Sequence, residues 1–205
     1  MKKFIIYTVI TVMVMFTANT LMAQQSLTLK IGYNTGMPIG SFKDFMGKNS
    51  FRGFHGELAY PINDKFTVGL GVASQDYYEK FPRQLYNTKD GVISAVLTNS
   101  LQTTPILVKG NYNLTTTGLI SPYVGLGAGF NLVRYGQFLG EFGDYTSSFK
   151  PAASADAGVN IFFNREARRA GVNVGANFNY MPYDKNGIDA LDNWGVHAGV
   201  FFPLR

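Results

Sequence analysis

Cysteine is absent from the 205 residues, which excludes disulfides, thiolate metal sites and a cysteine nucleophile. It equally excludes a lipoprotein anchor, which needs a cysteine just after the leader. Charge is scarce: 15% of the residues are Asp, Glu, Lys or Arg, against roughly 25% in an average soluble domain. The formal charge of +5 shrinks when the leader is set aside. Without Lys2 and Lys3 the 18 basic residues become 16, against 13 acidic ones, a net +3. That excess is too small to argue for a nucleic-acid partner.

Hydrophobic residues make up 46% of the chain, aromatics 15%, and there are 23 glycines. Neither a disordered segment nor a coiled coil has that mixture. The first residues read as a secretory leader: Lys2 and Lys3, an apolar run from Phe4 to Phe16, then Leu21-Met22-Ala23 before Gln24. Cleavage is expected after Ala23, leaving 24–205 as one domain. The apolar run falls short of the ~20 residues that an uncleaved spanning helix needs. No later stretch qualifies as such a helix, so further insertion into a membrane has to use strands.

From Leu27 to Leu204 the dominant pattern is alternation with period two. Eight runs carry it: Leu27–Thr35, Arg52–Tyr60, Phe66–Gln75, Thr103–Tyr112, Pro122–Leu132, Ala153–Phe163, Gly171–Tyr180 and Trp194–Leu204. Pro105 weakens the fourth, because proline gives no N–H to a central ladder. The connections alternate too. Pro61–Lys65, Asn113–Ser121 and Asn164–Ala170 are short. Gly36–Ser50, Asp76–Gln102, Val133–Ala152 and Met181–Asn193 are long. Turns on one rim and loops on the other are the signature of an up-and-down barrel. An even number of strands puts both termini on the turn rim.

A soluble barrel alternates as well, with its apolar face inward. The second face decides between the two. Here it carries Gly, Asn, Ser and Thr rather than the many Lys and Glu that water would solvate. Such small residues suit a narrow interior. The apolar face holds no charge in any of the eight runs, as expected where an Arg or Lys at the bilayer midplane costs ~2–4 kcal/mol. Tyr33, Phe54, Phe130, Tyr180 and Trp194 cluster toward the loop rim. Tyr60, Phe66, Tyr112, Phe163 and Phe202 cluster toward the turn rim. Two such bands match interfacial girdles. The expected fold is therefore all-β, an eight-stranded antiparallel transmembrane β-barrel.

The segment Pro122-Tyr123-Val124-Gly125-Leu126-Gly127-Ala128-Gly129-Phe130-Asn131 resembles a strand of the small eight-stranded outer-membrane barrels, the class of OmpX and the membrane part of OmpA. The ending Trp194-Gly195-Val196-His197-Ala198-Gly199-Val200-Phe201-Phe202 is similar to their closing strand. The resemblance covers Leu27 to the C-terminus and implies residence in the outer membrane. It also implies partners there: outer-membrane lipid and lipopolysaccharide, and the machinery that inserts barrels. Such proteins often finish on an aromatic residue, whereas this chain adds Pro203-Leu204-Arg205.

Lys30, His55, Glu57, Lys109, Asp156 and His197 share the inward parity. Two readings arise: a polar network that holds the barrel shut, since buried charges need partners, or a narrow ion path. Eight strands leave an interior just wide enough for side chains, which favours the network. The inward glycines keep the pore reading open, because they vacate volume. His55-x-Glu57 lacks the further ligands a metal needs. Gly125-x-Gly127-x-Gly129 lies in a strand with no helix after it, unlike a dinucleotide loop. No nucleophile and base fall together as a lipid-modifying enzyme would require. No catalytic residue, cofactor or metal is therefore assigned. Arg165, Arg168 and Arg169 read as a solvated turn that pins strand ends, with inner-leaflet phosphates as alternative contacts. Tyr77, Tyr78, Phe81, Arg83 and Tyr86 in the longest connection form the candidate binding loop for an extracellular ligand, since rigid scaffolds carry function on loops. The leading expectation is a non-enzymatic structural or surface-binding barrel; a small passive pore and a lipid-active enzyme are the alternatives.

Overall fold

Each alternating run pairs with its neighbours, and the last pairs with the first. The computed structural model describes residues 26–88, 91–139, 142–166, 168–185 and 188–204. The expected leader, 1–23, lies outside them. Eight strands close the barrel: β1 (Thr28–Pro38), β2 (Ser50–Pro61), β3 (Phe66–Lys80), β6 (Leu97–Asn113), β7 (Ile120–Leu139), β8 (Phe142–Phe162), β9 (Gly171–Tyr180) and β12 (Asn193–Pro203). The order around the barrel is β1-β12-β9-β8-β7-β6-β3-β2, and every pair is antiparallel. Closure leaves no unpaired edge facing lipid.

Parity follows the chemistry of the two faces. Leu126 is 70% exposed, Val108 61% and Phe54 62%, while Glu57, Asp156 and His197 are buried. An apolar belt that runs round the whole barrel far exceeds the few hundred Å² a soluble monomer exposes. Pro105 keeps its place. On one side it pairs with Asn131 of β7, and on the other the ladder to β3 is interrupted between Val72↔Ile106 and Gln75↔Thr103. The missing N–H falls in that gap, and the neighbouring Thr104 amide donates to Asn131 Oδ1 at 2.9 Å. At the turn rim, Asn63 Oδ1 accepts the amides of Lys65 and Phe66 at 2.9 and 2.8 Å, a side-chain turn that needs few residues.

The long connections differ most from expectation. Val133–Ala152 is no loop: β7 and β8 continue through it with 20 and 21 residues, about twice the 9–11 that cross a bilayer. Asp76–Gln102 likewise extends β3 and β6 and adds a hairpin of β4 (Gln84–Thr88) and β5 (Gly91–Ala95). β3, β6, β7 and β8 thus form one tall wall, while the other four strands have only 10 to 12 residues. A short helix, α1 (Ser41–Phe45), and a hairpin of β10 (Pro182–Lys185) and β11 (Ile188–Ala190) lean against that wall. The Ile39 amide donates to the Asp192 carbonyl at 3.1 Å, which ties these two loop segments together.

Candidate functional site

The inward face is built in layers. At its centre, Lys30 Nζ of β1 lies 3.0 Å from Glu57 Oε1 of β2. Lys109 Nζ of β6 lies 3.5 Å from Glu57 Oε2 and 2.8 Å from Asp156 Oδ1 of β8. Asn111 Nδ2 donates to Glu57 Oε1 at 2.9 Å. Two cations and two carboxylates from four strands are thus joined across the lumen. His55 and His197 meet edge to face, their ring centroids 5.3 Å apart, and His197 Nε2 lies 3.0 Å from the Tyr123 hydroxyl. All six inward residues singled out in the sequence come together here. Asn111 and Tyr123 complete the cluster; their inward parity marks them, but neutral side chains give no charge signal.

Glycines make room for this cluster. A Cβ on Gly71 would stand 2.8 Å from Lys109 Cδ, one on Gly175 2.8 Å from His197 Nε2, and one on Gly127 2.7 Å from Ser154 Oγ. The volume those glycines vacate is filled by side chains of neighbouring strands. What remains above the ion pairs is a cavity of about 80 Å³, room for only a few waters. His55 Nδ1, Ser154 Oγ and Asp156 Oδ2 are buried without a protein partner and border it. Below the ion pairs a wider vestibule opens at the turn rim, lined by Asn113, Asn160, Arg168, Arg169 and Phe201 among others.

Toward the loop rim the lumen turns apolar. Phe42, Met46, Tyr77, Leu101, Val133, Met181, Tyr183, Ile188 and Leu191 form a buried cluster that reaches down to Leu107. This apolar plug sits over the polar layer. Its wall residues alternate along β3, β6, β7 and β8, so continued alternation beyond Gln75 and Leu132 was the signal that the eight runs stopped short of.

The candidate binding loop is corrected by this arrangement. Tyr77 is buried in the plug, packed edge to face on Phe42 with centroids 4.7 Å apart, because its parity continues that of inward Gln75. Tyr78 points outward with Arg52 over its ring at 5.7 Å. Phe81 donates its amide to the Leu97 carbonyl at 2.8 Å, and Arg83 is exposed before β4. The Tyr86 backbone pairs with Ile93; its side chain lies outside the described set. Tyr77 therefore shares no surface with the exposed Tyr78 and Arg83.

Arg168 also departs from a freely solvated turn. Its backbone takes a left-handed φ of 42°. Its guanidinium lies 4.2 Å above the Phe162 ring and donates to the Gly118 carbonyl, which ties two turns together at the vestibule.

Residues 8–202 match the family described as the outer membrane protein beta-barrel domain. The chain belongs to that family. Its members reside in the outer membrane, so the short turns face the periplasm and the tall wall faces outward. Neisserial surface protein A is similar in structure, with a TM-score of 0.55, 14% identity, and coverage of 88% of this chain and 97% of its own. OprG from Pseudomonas aeruginosa matches with a TM-score of 0.52, 14% identity, and coverage of 88% and 96%. At these identities the likeness concerns the fold. No curated protein matches the chain by sequence.

Proposed function

We propose that this family member is a non-enzymatic, closed barrel that acts at the cell surface through the crown its tall strands raise above the membrane. The observation that carries this reading is the double obstruction of the lumen: an ion-paired layer at its centre and an apolar plug above. Neither layer supports a passive pore. Both histidines of the chain face the lumen, which leaves the lipid face without an imidazole base for lipid hydrolysis. Export by a leader ending at Ala23 and assembly by the barrel-insertion machinery belong to the same proposal. Purified protein in planar bilayers should give no stable conductance. Reproducible channels would overturn the closed-barrel reading and favour the pore.

A further inference from the structure

Above the apolar belt, the outward face of the tall wall changes character within one row of residues. Thr104, Leu132 and Phe149 lie side by side on β6, β7 and β8. The next outward row is Asp76, Gln102, Arg134 and Ser147, with Arg52 of β2 at 3.7 Å from Asp76. The row beyond that is Tyr78, Ser100, Gly136 and Tyr145. The two arginines are handled alike. Arg52 lies 5.7 Å from the Tyr78 ring centroid, and Arg134 lies 5.6 Å from that of Tyr145. Both tyrosines are exposed, and Tyr145 covers Gly136, where a Cβ would stand 2.8 Å from its ring.

Between these two arginine–tyrosine stations runs β6, whose outward side chains here are Gln102, Ser100 and Thr98. The result is a shallow channel with a floor of hydroxyl and amide groups. Its walls are aromatic and cationic, and they stand two strand spacings apart, about 10 Å. Lys80, paired with Thr98, adds a third cation at its outer end; Asp76 is the carboxylate on this face. Hydroxyls, an amide and flat aromatic faces suit a saccharide. Guanidinium groups suit phosphate. The position, one row beyond the hydrocarbon-facing side chains, is where lipid headgroups sit.

We propose that this channel is a docking site for the phosphorylated saccharide headgroup of the outer-leaflet glycolipid, lipopolysaccharide, with Arg52 and Arg134 as its phosphate contacts. The inference needs only the outer-membrane setting and stands apart from the closed-lumen reading, which conductance tests separately.

The test uses purified full-length protein in detergent, its folding checked by heat-modifiable gel mobility. Bisphosphorylated lipid A, and the same lipid with its phosphates removed, are added, and bound lipid is counted by native mass spectrometry. The unaltered protein should hold the phosphorylated lipid about tenfold or more tighter than the stripped one. Arg52→Gln with Arg134→Gln should erase that difference while the protein stays folded. Ser100→Trp, which fills the channel floor, should weaken both lipids. Equal binding of the two lipids by the unaltered protein would overturn the proposal. So would a double variant that still prefers the phosphorylated lipid.

Discussion

Lys109 of β6 and Asp156 of β8 meet at 2.8 Å across a strand that lies between them and gives only glycine at that level, Gly125 and Gly127 of β7. The ion pair exists because the intervening strand has no side chains in its way. This relationship recurs through the lumen and explains why a glycine-rich barrel can be a filled one.

Breaking that pair leaves a buried charge uncompensated. Asp156→Ala should destabilise the folded barrel by about 3–5 kcal/mol, toward the lower end because Glu57 still faces Lys109. Lys109→Met combined with Asp156→Leu removes both charges and should recover most of the loss. Urea titrations of the protein in lipid bilayers, read by gel mobility, measure both. A double variant as weak as the single one would show that the charges do more than satisfy one another.

Glycines that seat lumen side chains should resist enlargement, while those facing lipid should tolerate it. Gly175→Ala places a methyl 2.8 Å from His197 and 2.7 Å from the Ala157 carbonyl, and should cost about 1–3 kcal/mol through overpacking. Gly110→Ala meets nothing closer than the Phe66 ring at 3.6 Å and should change stability little. Equal losses in the two variants would argue against a packed lumen.

The apolar plug should be separable from the membrane-embedded part. Phe42→Ala removes a fully buried ring, a truncation that typically costs about 3–5 kcal/mol. That loss should fall on the crown alone, so limited proteolysis should nick the variant between Pro38 and Ser50 or between Tyr180 and Asn193. The barrel below should stay folded by gel mobility. Loss of the whole barrel would mean that the plug and the membrane part fold as one unit.

Export makes a simple prediction about the mature chain. Its intact mass, and the first residue found by N-terminal sequencing, should correspond to cleavage after Ala23, with Gln24 leading. A protein that retains Phe4 to Phe16 in the outer membrane would contradict the leader reading.

The barrel was legible in the sequence because period-two alternation survives in every strand and because the second face is glycine and asparagine rather than lysine and glutamate. The central cluster was legible for the same reason: Lys30, Glu57, Lys109 and Asp156 break the neutrality of the inward face, and parity alone brings them together. The crown was not. Beyond the membrane segment, inward positions such as Tyr77, Leu101 and Val133 become apolar while outward ones such as Asp76, Gln102 and Arg134 become polar, the reverse of the strands below. A change of face at the edge of the bilayer looks, in sequence, like the end of a strand. By sequence pattern alone Tyr77 therefore belongs to an exposed loop, whereas it packs on Phe42. The plug draws on segments as far apart as Phe42 and Leu191, a partnership that local patterns do not encode.

The orientation of the pleat is the claim on which the rest depends, and the lack of native cysteine makes it directly measurable. Single cysteines at Val108, at Leu126 and at the inward Leu107 can each carry a nitroxide in lipid bilayers. Collision rates with oxygen, which concentrates in hydrocarbon, and with a water-soluble nickel chelate then report what each site meets. The account predicts oxygen-dominated collisions at 108 and 126 and low accessibility to both reagents at 107. Nickel-dominated collisions at 108 and 126 would contradict it.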